Sequence, residues 1–140
     1  MSFTPKTPYL TTDGIVEIYE DEKFLGIVLI ERKYPPLGFA IPGGFVDVGE
    51  SVEDALVREM REEISLDVTI IELLGIYSDP SRDPRFHTAS AVYIAKATKK
   101  PKAADDAKEV HLLHPKEIEL SKLVFDHSKI LKDYFSKRGF

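Results

Sequence analysis

The stretch from Gly44 to Leu66, GFVDVGESVEDALVREMREEISL, restricts this chain more than any other part of it. Ser51 reads as a helix N-cap, with Asp54 three residues on in a capping-box pattern and Glu53 suited to the positive end of the helix dipole. The helix is expected to run to about Ile64, with a break beginning at Ser65. At ~100° per residue, Leu56, Val57, Met60 and Ile64 fall on one arc, a core-facing stripe. Glu59, Glu62 and Glu63 fall on the adjoining arc, at relative positions i, i+3 and i+4. Carboxylates so close repel one another, and near a helix C-terminus each is disfavoured by ~0.3–1 kcal/mol. The plain alternative is a solvated acidic face. A cation gives the patch a reason, and a hard divalent ion fits, because Mg²⁺ takes oxygen ligands and keeps waters and substrate phosphates in its remaining positions. The surroundings favour that reading. Gly43 and Gly44 let backbone approach a ligand closely. Glu50 sits at the helix start, and Arg58 can pair with Glu62 one turn on, orienting a ligand.

Composition removes several classes of function. The 140 residues are 43% hydrophobic, with eight Phe and six Tyr, which excludes global disorder and is enough for a core without staples. One domain spanning residues 1–140 is the expectation. The absence of cysteine excludes disulfides, a thiol nucleophile and Cys-based zinc. A net charge of −5 argues against non-specific nucleic-acid binding. The longest apolar run, Leu25 to Ile30, is far short of the ~20 residues that span a bilayer. The start, MSFTPKTPYLTT, does not read as a signal peptide. The expectation is a cytoplasmic protein with no membrane and no nucleic-acid partner.

Around the helix, Ile15–Tyr19 reads as a strand and Phe24–Lys33 as a second, its Gly26–Ile30 run apolar on both sides as in a covered sheet. Glu20–Lys23 suits a hairpin link, and Phe39–Ile41 a short strand. Val68–Ile76 and Thr88–Ala97 are further strands, joined by the loop from Ser78 to Arg85. Residues 98–108 read as a loop and Val110–Leu113 as a last strand. Asp126–Lys137, with Ile130, Leu131, Tyr134 and Phe135 on one face, is a final helix ending near Gly139. In this reading Asp126 caps the helix and His127 beside it is exposed. The fold class is α/β, a mixed sheet covered by helices on both faces.

Gly44, five residues, Glu50, seven residues, then Arg58–Glu59–Met60–Arg61–Glu62–Glu63–Ile64–Ser65–Leu66 resembles the Nudix box, G-x5-E-x7-R-E-U-x-E-E-x-G-U. Every defined position matches except Ser65, which stands where the family has glycine; the departure is expected to alter loop geometry and not ligand identity. The resemblance implies an α/β/α sandwich and hydrolysis of a nucleoside diphosphate linked to another moiety, with Mg²⁺ or Mn²⁺. It implies Glu59 and Glu63 as the main metal ligands, Glu62 as a further one, and the Gly44 carbonyl joining them. Glu50 and Arg58 become supporting groups. Some relatives place an extra carboxylate ligand or base near a late strand, where this chain has Glu109.

The segment Tyr77–Ser78–Asp79–Pro80–Ser81–Arg82–Asp83–Pro84–Arg85, with Pro80 fourteen residues past Leu66, is similar to the ADP-ribose pyrophosphatase branch of that family. Two prolines stiffen the loop, and Arg82 and Arg85 offer planar forks for phosphate oxygens or a terminal ribose. The plain alternative is a rigid turn whose Asp and Arg pair with each other. Arg32 can also reach the phosphates, while Gly43 approaches them through its backbone and Phe39 or Phe86 is placed to stack on adenine. The expected reaction cleaves ADP-ribose to AMP and ribose 5-phosphate. The rivals are another nucleotide substrate (a nucleoside triphosphate, a dinucleoside polyphosphate or an NDP-sugar) and a module that binds ADP-ribose without cleaving it. Relatives in this branch are frequently dimers, so a homodimer is the implied assembly.

Overall fold

The computed structural model describes residues 2–103 and 107–140, without the side chains of Ala107 and Lys108. The described residues form seven strands, two α-helices and two short 3-10 turns. In chain order these are β1 (Tyr9–Glu20), β2 (Lys23–Arg32), β3 (Phe39–Ala40), β4 (Gly43–Phe45), α1 (Val52–Ile64), β5 (Thr69–Tyr77), β6 (Thr88–Ala97), β7 (Ala107–Leu113) and α2 (His127–Arg138), with the 3-10 turns Pro115–Glu117 and Leu120–Lys122 before α2. The strands make one mixed sheet in the order β3-β2-β1-β6-β5, with β4 pairing β1 and β7 pairing β2. Only β1 and β6 run parallel, from Tyr9 opposite Thr88 to Ile18 opposite Ala97; the other pairings are antiparallel. No helix among the described residues is long and apolar enough to cross a membrane.

The run in β2 that is apolar on both sides has its explanation in two layers. Val28 and Ile30 join Val16 and Ile18 under Leu56, Met60 and Ile64 of α1. Ile27 and Leu29 join Ile15, Val92 and Ile94 under Ile130, Leu131 and Tyr134 of α2. Successive strand residues point to opposite faces, so a strand covered by a helix on each side must be apolar throughout. Gly14 brings α1 close: a Cβ there would lie 3.0 Å from Leu56 Cδ1.

The sequence reading started β1 at Ile15, whereas the strand starts at Tyr9. Its first half is polar and is recruited by neighbours: β6 pairs along its whole length, and β4 pairs Thr11–Asp13. Thr12 is buried, its Oγ1 donating to the Ala91 carbonyl at 2.7 Å. β4 itself was not anticipated. β7 begins at Ala107, inside the stretch read as a loop, and residues 104–106 of that loop lie outside the described residues.

Both ends of α1 are as expected. Ser51 Oγ accepts from the Asp54 N–H at 3.1 Å. Ser65 ends the helix in the left-handed conformation, φ 59°, ψ 37°, with its N–H on the Met60 carbonyl. The glycine-to-serine departure is therefore absorbed as backbone strain at an exposed residue, and the turn still closes. Ser65→Gly should raise stability by about 0.5–1 kcal/mol, the relief of a left-handed non-glycine residue less the extra freedom of the unfolded chain.

α2 is tied to the sheet by a buried carboxylate. Glu17, in the middle of β1 and fully buried, accepts from Tyr134 Oη at 2.6 Å and from Arg138 Nε and Nη2 at 2.9 and 2.6 Å. Burial alone would raise its pKa, but the hydrogen bonds from Arg138, Tyr134 and Tyr19 outweigh it and hold the acid below its ordinary value. Glu17 therefore stabilises the fold above the unfolded-state pKa, and that contribution is lost as pH falls through the lower folded one. Glu17→Ala should remove about 3 kcal/mol, the low end for a broken buried pair because Arg138 stays a third exposed. A lower urea midpoint at unchanged slope would report it.

Candidate active site

A cavity of about 440 Å³ opens where the ends of β1, β2 and β4 meet α1, the 78–87 loop and the start of α2. Its acidic wall is built by close backbone approach. The Gly43 N–H donates to Glu63 Oε1 at 2.9 Å. A Cβ on Gly43 would lie 2.2 Å from Asp13 Oδ1 and from the Thr12 carbonyl, and one on Gly44 would lie 2.4 Å from the Glu59 carboxyl carbon. The glycine pair is what allows β4 to pass between Asp13 and the carboxylates of α1.

Glu59 and Glu63 line this cavity, while Glu62 does not. Glu62 turns towards solvent, its side chain 49% exposed, and takes Arg58 Nη1 at 3.1 Å. Arg58 is the hub of the helix start. Its Nε and Nη2 grip Glu50 at 2.8 and 2.9 Å, Nη1 also holds Glu59 at 3.0 Å, and Nη2 reaches the Phe45 carbonyl at 3.0 Å. The guanidinium pulls the Glu50 carboxyl down to about 2. Glu50 and Arg58 thus fix the 45–50 loop and aim Glu59, without facing the cavity themselves.

Burial pushes the Glu63 carboxyl up to about 8, with the Gly43 N–H opposing and the negative charges of Glu59 and Asp13 reinforcing. Glu59 is raised as well, by burial first and against the pull of Arg58. Asp13, on β1, is raised to about 6 by burial, in spite of the hydrogen bond from Ser90 Oγ. Buried acids held above their ordinary pKa beside a glycine-lined backbone suit a hard cation, whose charge would return all of them to the ionised form. Sequence reasoning missed Asp13. Its one signal was a charged residue two positions ahead of the apolar strand read from Ile15.

The basic wall comes from Arg32 at the end of β2 and from Arg82 and Arg85 in the loop. Arg85 Nε and Nη2 donate to Asp83 at 3.0 and 2.8 Å, and Arg32 Nε to the Pro36 carbonyl at 2.8 Å. Arg82 corrects the expectation of a phosphate contact. Its side chain is 4% exposed. Nε and Nη2 bind both oxygens of Asp126 at 3.0 and 2.7 Å, and Nη1 binds Thr88 Oγ1 at 2.7 Å. Nε and one N–H of each terminal nitrogen are bound within the protein, and the side chain clamps the loop to α2. Asp126 stands at the N-cap position of α2 as expected, but its carboxylate is taken by Arg82 and makes no capping hydrogen bond. His127 is buried, not exposed; its Nδ1 accepts the Ile41 N–H at 2.9 Å. Burial, then the charges of Arg82 and Arg32, push the imidazole down to about 3, so it stays neutral with the proton on Nε2.

Three expected site residues lie elsewhere. Phe39 packs edge-on against His111, ring centroids 5.0 Å apart, and lines a separate, smaller pocket. Pro80 is exposed and does not line the cavity. Glu109 stands opposite Glu31 on β2, one position out of phase with the Ile30–Val110 pair that packs under α1. Strand alternation therefore sends it to the α2 face of the sheet, beside Glu31 and His111, whose ligand atoms lie with its own within 4.8 Å. Phe86 forms an exposed aromatic group with Tyr9 and Phe45 at the cavity's edge, ring centroids 4.9 Å (Tyr9) and 6.1 Å (Phe45) away.

A family profile described as NUDIX domain matches residues 8–134. The ADP-ribose pyrophosphatase of Methanocaldococcus jannaschii is 48% identical over 130 residues, which are 91% of this chain and 73% of that protein. Among solved structures, the MutT/nudix family protein of Enterococcus faecalis has a TM-score of 0.84 at 32% identity, covering 98% of this chain and 64% of that one. The NUDIX domain of Shewanella oneidensis NrtR, crystallised with ADP ribose, has a TM-score of 0.82 at 25% identity over 95% of this chain and 90% of that one. This chain spans just under two thirds of the Enterococcus protein. With its box, its sheet and its relatives in agreement over most of its length, the chain belongs to the Nudix family.

Proposed function

We propose that this protein hydrolyses ADP-ribose to AMP and ribose 5-phosphate with Mg²⁺ or Mn²⁺. The observation that carries the reading is one cavity walled by Glu59 and Glu63 and also lined by Arg32 and Arg85. The M. jannaschii relative supports the choice of substrate. Water adds across the diphosphate: its oxygen bonds to one phosphorus, the bridging P–O bond breaks, and the bridging oxygen leaves with the other phosphate. A divalent cation supplies charge neutralisation of the diphosphate and a lowered pKa for the attacking water. Glu59 and Glu63 would hold it, with the Gly44 backbone close by. Arg58 fixes Glu59 against rotation. Arg32 and Arg85 bind and orient the phosphate oxygens, so positioning and charge compensation do most of the work. Glu62 serves through Arg58, and no role in proton transfer falls to Glu109 from its place on the α2 face.

With Mg²⁺ and a panel of ADP-ribose, nucleoside triphosphates, diadenosine compounds and NDP-sugars, ADP-ribose should be the preferred substrate, giving AMP and ribose 5-phosphate by chromatography. Preference for a triphosphate would replace this reading, and tight ADP-ribose binding without products would make the protein a sensor. Glu63→Gln should lower kcat by at least about 100-fold, the scale of losses when a metal site's support is removed, with the fold unchanged by circular dichroism.

The raised carboxyls also give a stability signature. Glu63 has a folded pKa of about 8, above its ordinary 4.5, so between those values the native state binds a proton that the unfolded chain releases. Stability of the metal-free protein therefore falls as pH rises through about 8. In the presence of a chelator, Tm should be lower at pH 9 than at pH 6, measured against the ordinary alkaline decline seen in Glu63→Gln. Added Mg²⁺ should restore the wild-type Tm at pH 9. Equal profiles for the two proteins would count against the burial of Glu63.

A further inference from the structure

Phe125 stands between the last 3-10 turn and α2 with φ 56°, a left-handed conformation that a bulky residue rarely adopts. The residues around it hold it there. The Val124 N–H donates to the Phe39 carbonyl at 2.9 Å, Asp126 is gripped by both arms of Arg82, and His127 accepts the Ile41 N–H. The held ring lines the cavity, and two of the three arginines that line it gather on the ring, Arg85 standing also over Phe86. The guanidinium carbon of Arg32 lies 5.1 Å from the ring centroid and that of Arg85 5.5 Å. These two side chains come from distant parts of the chain and carry like charges; Asp83 offsets the charge of Arg85, and the electron-rich ring face of Phe125 attracts both guanidinium groups.

We propose that Phe125 is a positioning residue for phosphate binding: its ring sets the two guanidinium groups of Arg32 and Arg85 at the spacing with which they grip a diphosphate. The inference deepens the proposed diphosphate hydrolysis and rests on that reading. It gives the strained backbone a use, since the left-handed turn is what delivers the ring to the cavity. It also gives the Arg82–Asp126 pair a use beyond joining loop to helix, because it fixes the residue next to Phe125.

The test separates ring from backbone. Phe125→Leu keeps apolar volume and loses the π face; Phe125→Gly suits the left-handed backbone and loses the ring; Phe125→Tyr keeps the face. Leu and Gly should each raise KM for ADP-ribose by about tenfold with kcat within about twofold, and Tyr should return KM to within about twofold of wild type. The same ranking should appear in the calorimetric Kd for inorganic pyrophosphate with Mg²⁺. That measurement needs no turnover, so a protein that failed to cleave ADP-ribose would sink the functional reading while still deciding this one. In an Arg32→Gln/Arg85→Gln background, Phe125→Leu should weaken pyrophosphate binding by less than about twofold further. Three results would overturn the inference: pyrophosphate affinity unchanged by Phe125→Leu, a loss by Leu that Gly does not share, or a full further tenfold loss in the doubly substituted background.

Discussion

The site depends on a backbone strand passing where no side chain has room. β4 carries the Gly43 amide onto Glu63 and passes Gly44 along the face of Glu59, with Asp13 on its other side. Remove that closeness and two buried carboxylates, with the part-buried Glu59, lose the wall that brings them to one cavity. Burial then raises their pKa values, and the raised pKa values make the group receptive to a cation. Geometry comes first in this chain of causes, and the unusual acidity follows from it.

How much of this was legible in the sequence follows from separation along the chain. The α1 helix, its Ser51 cap, its stop at Ser65 and its core stripe were legible because helical periodicity and capping act within a few residues. So was the match to the box, which fixed Glu59, Glu63, Arg58 and Glu50 together. The same arc that joined Glu62 to the other two hid a difference between them: Arg58 draws Glu62 towards solvent while Glu63 is buried. What failed was non-local. Arg82 meets Asp126 forty-four residues away, Ile41 meets His127 eighty-six away, and nothing near Asp126 in sequence announces either contact. Glu109 was expected near a late strand, but which face of the sheet it takes depends on its pairing with Glu31 on β2, which the local sequence does not reveal. Asp13 and Phe125 were missed because neither sits in a motif; one is buried by β4 and the other is aimed by an unusual backbone angle.

Buried charge is used differently at the α2 anchor and in the cavity. On the α2 side, Glu17 is satisfied by Tyr134 and Arg138, and its pKa is held below the ordinary value. That is an anchor. On the cavity side, Glu63 receives one backbone hydrogen bond and has like charges for neighbours. One carboxylate is fully matched by donors within the fold, whereas the other keeps its raised pKa in spite of the Gly43 amide and the charge of Arg32. A chain that buries both kinds concentrates its electrostatic strain where binding can relieve it.

The cavity's two walls also have different origins. Asp13, Glu59, Glu63 and the glycine pair sit on strands and a helix packed into the core, whereas Arg82, Arg85 and Phe125 sit on irregular segments. The hydrogen bonds that the carboxylates accept come from the Gly43 amide, Ser90 and Arg58, which all lie outside those segments. Descendants of such a chain can therefore vary the irregular part of the lining while inheriting the acidic wall.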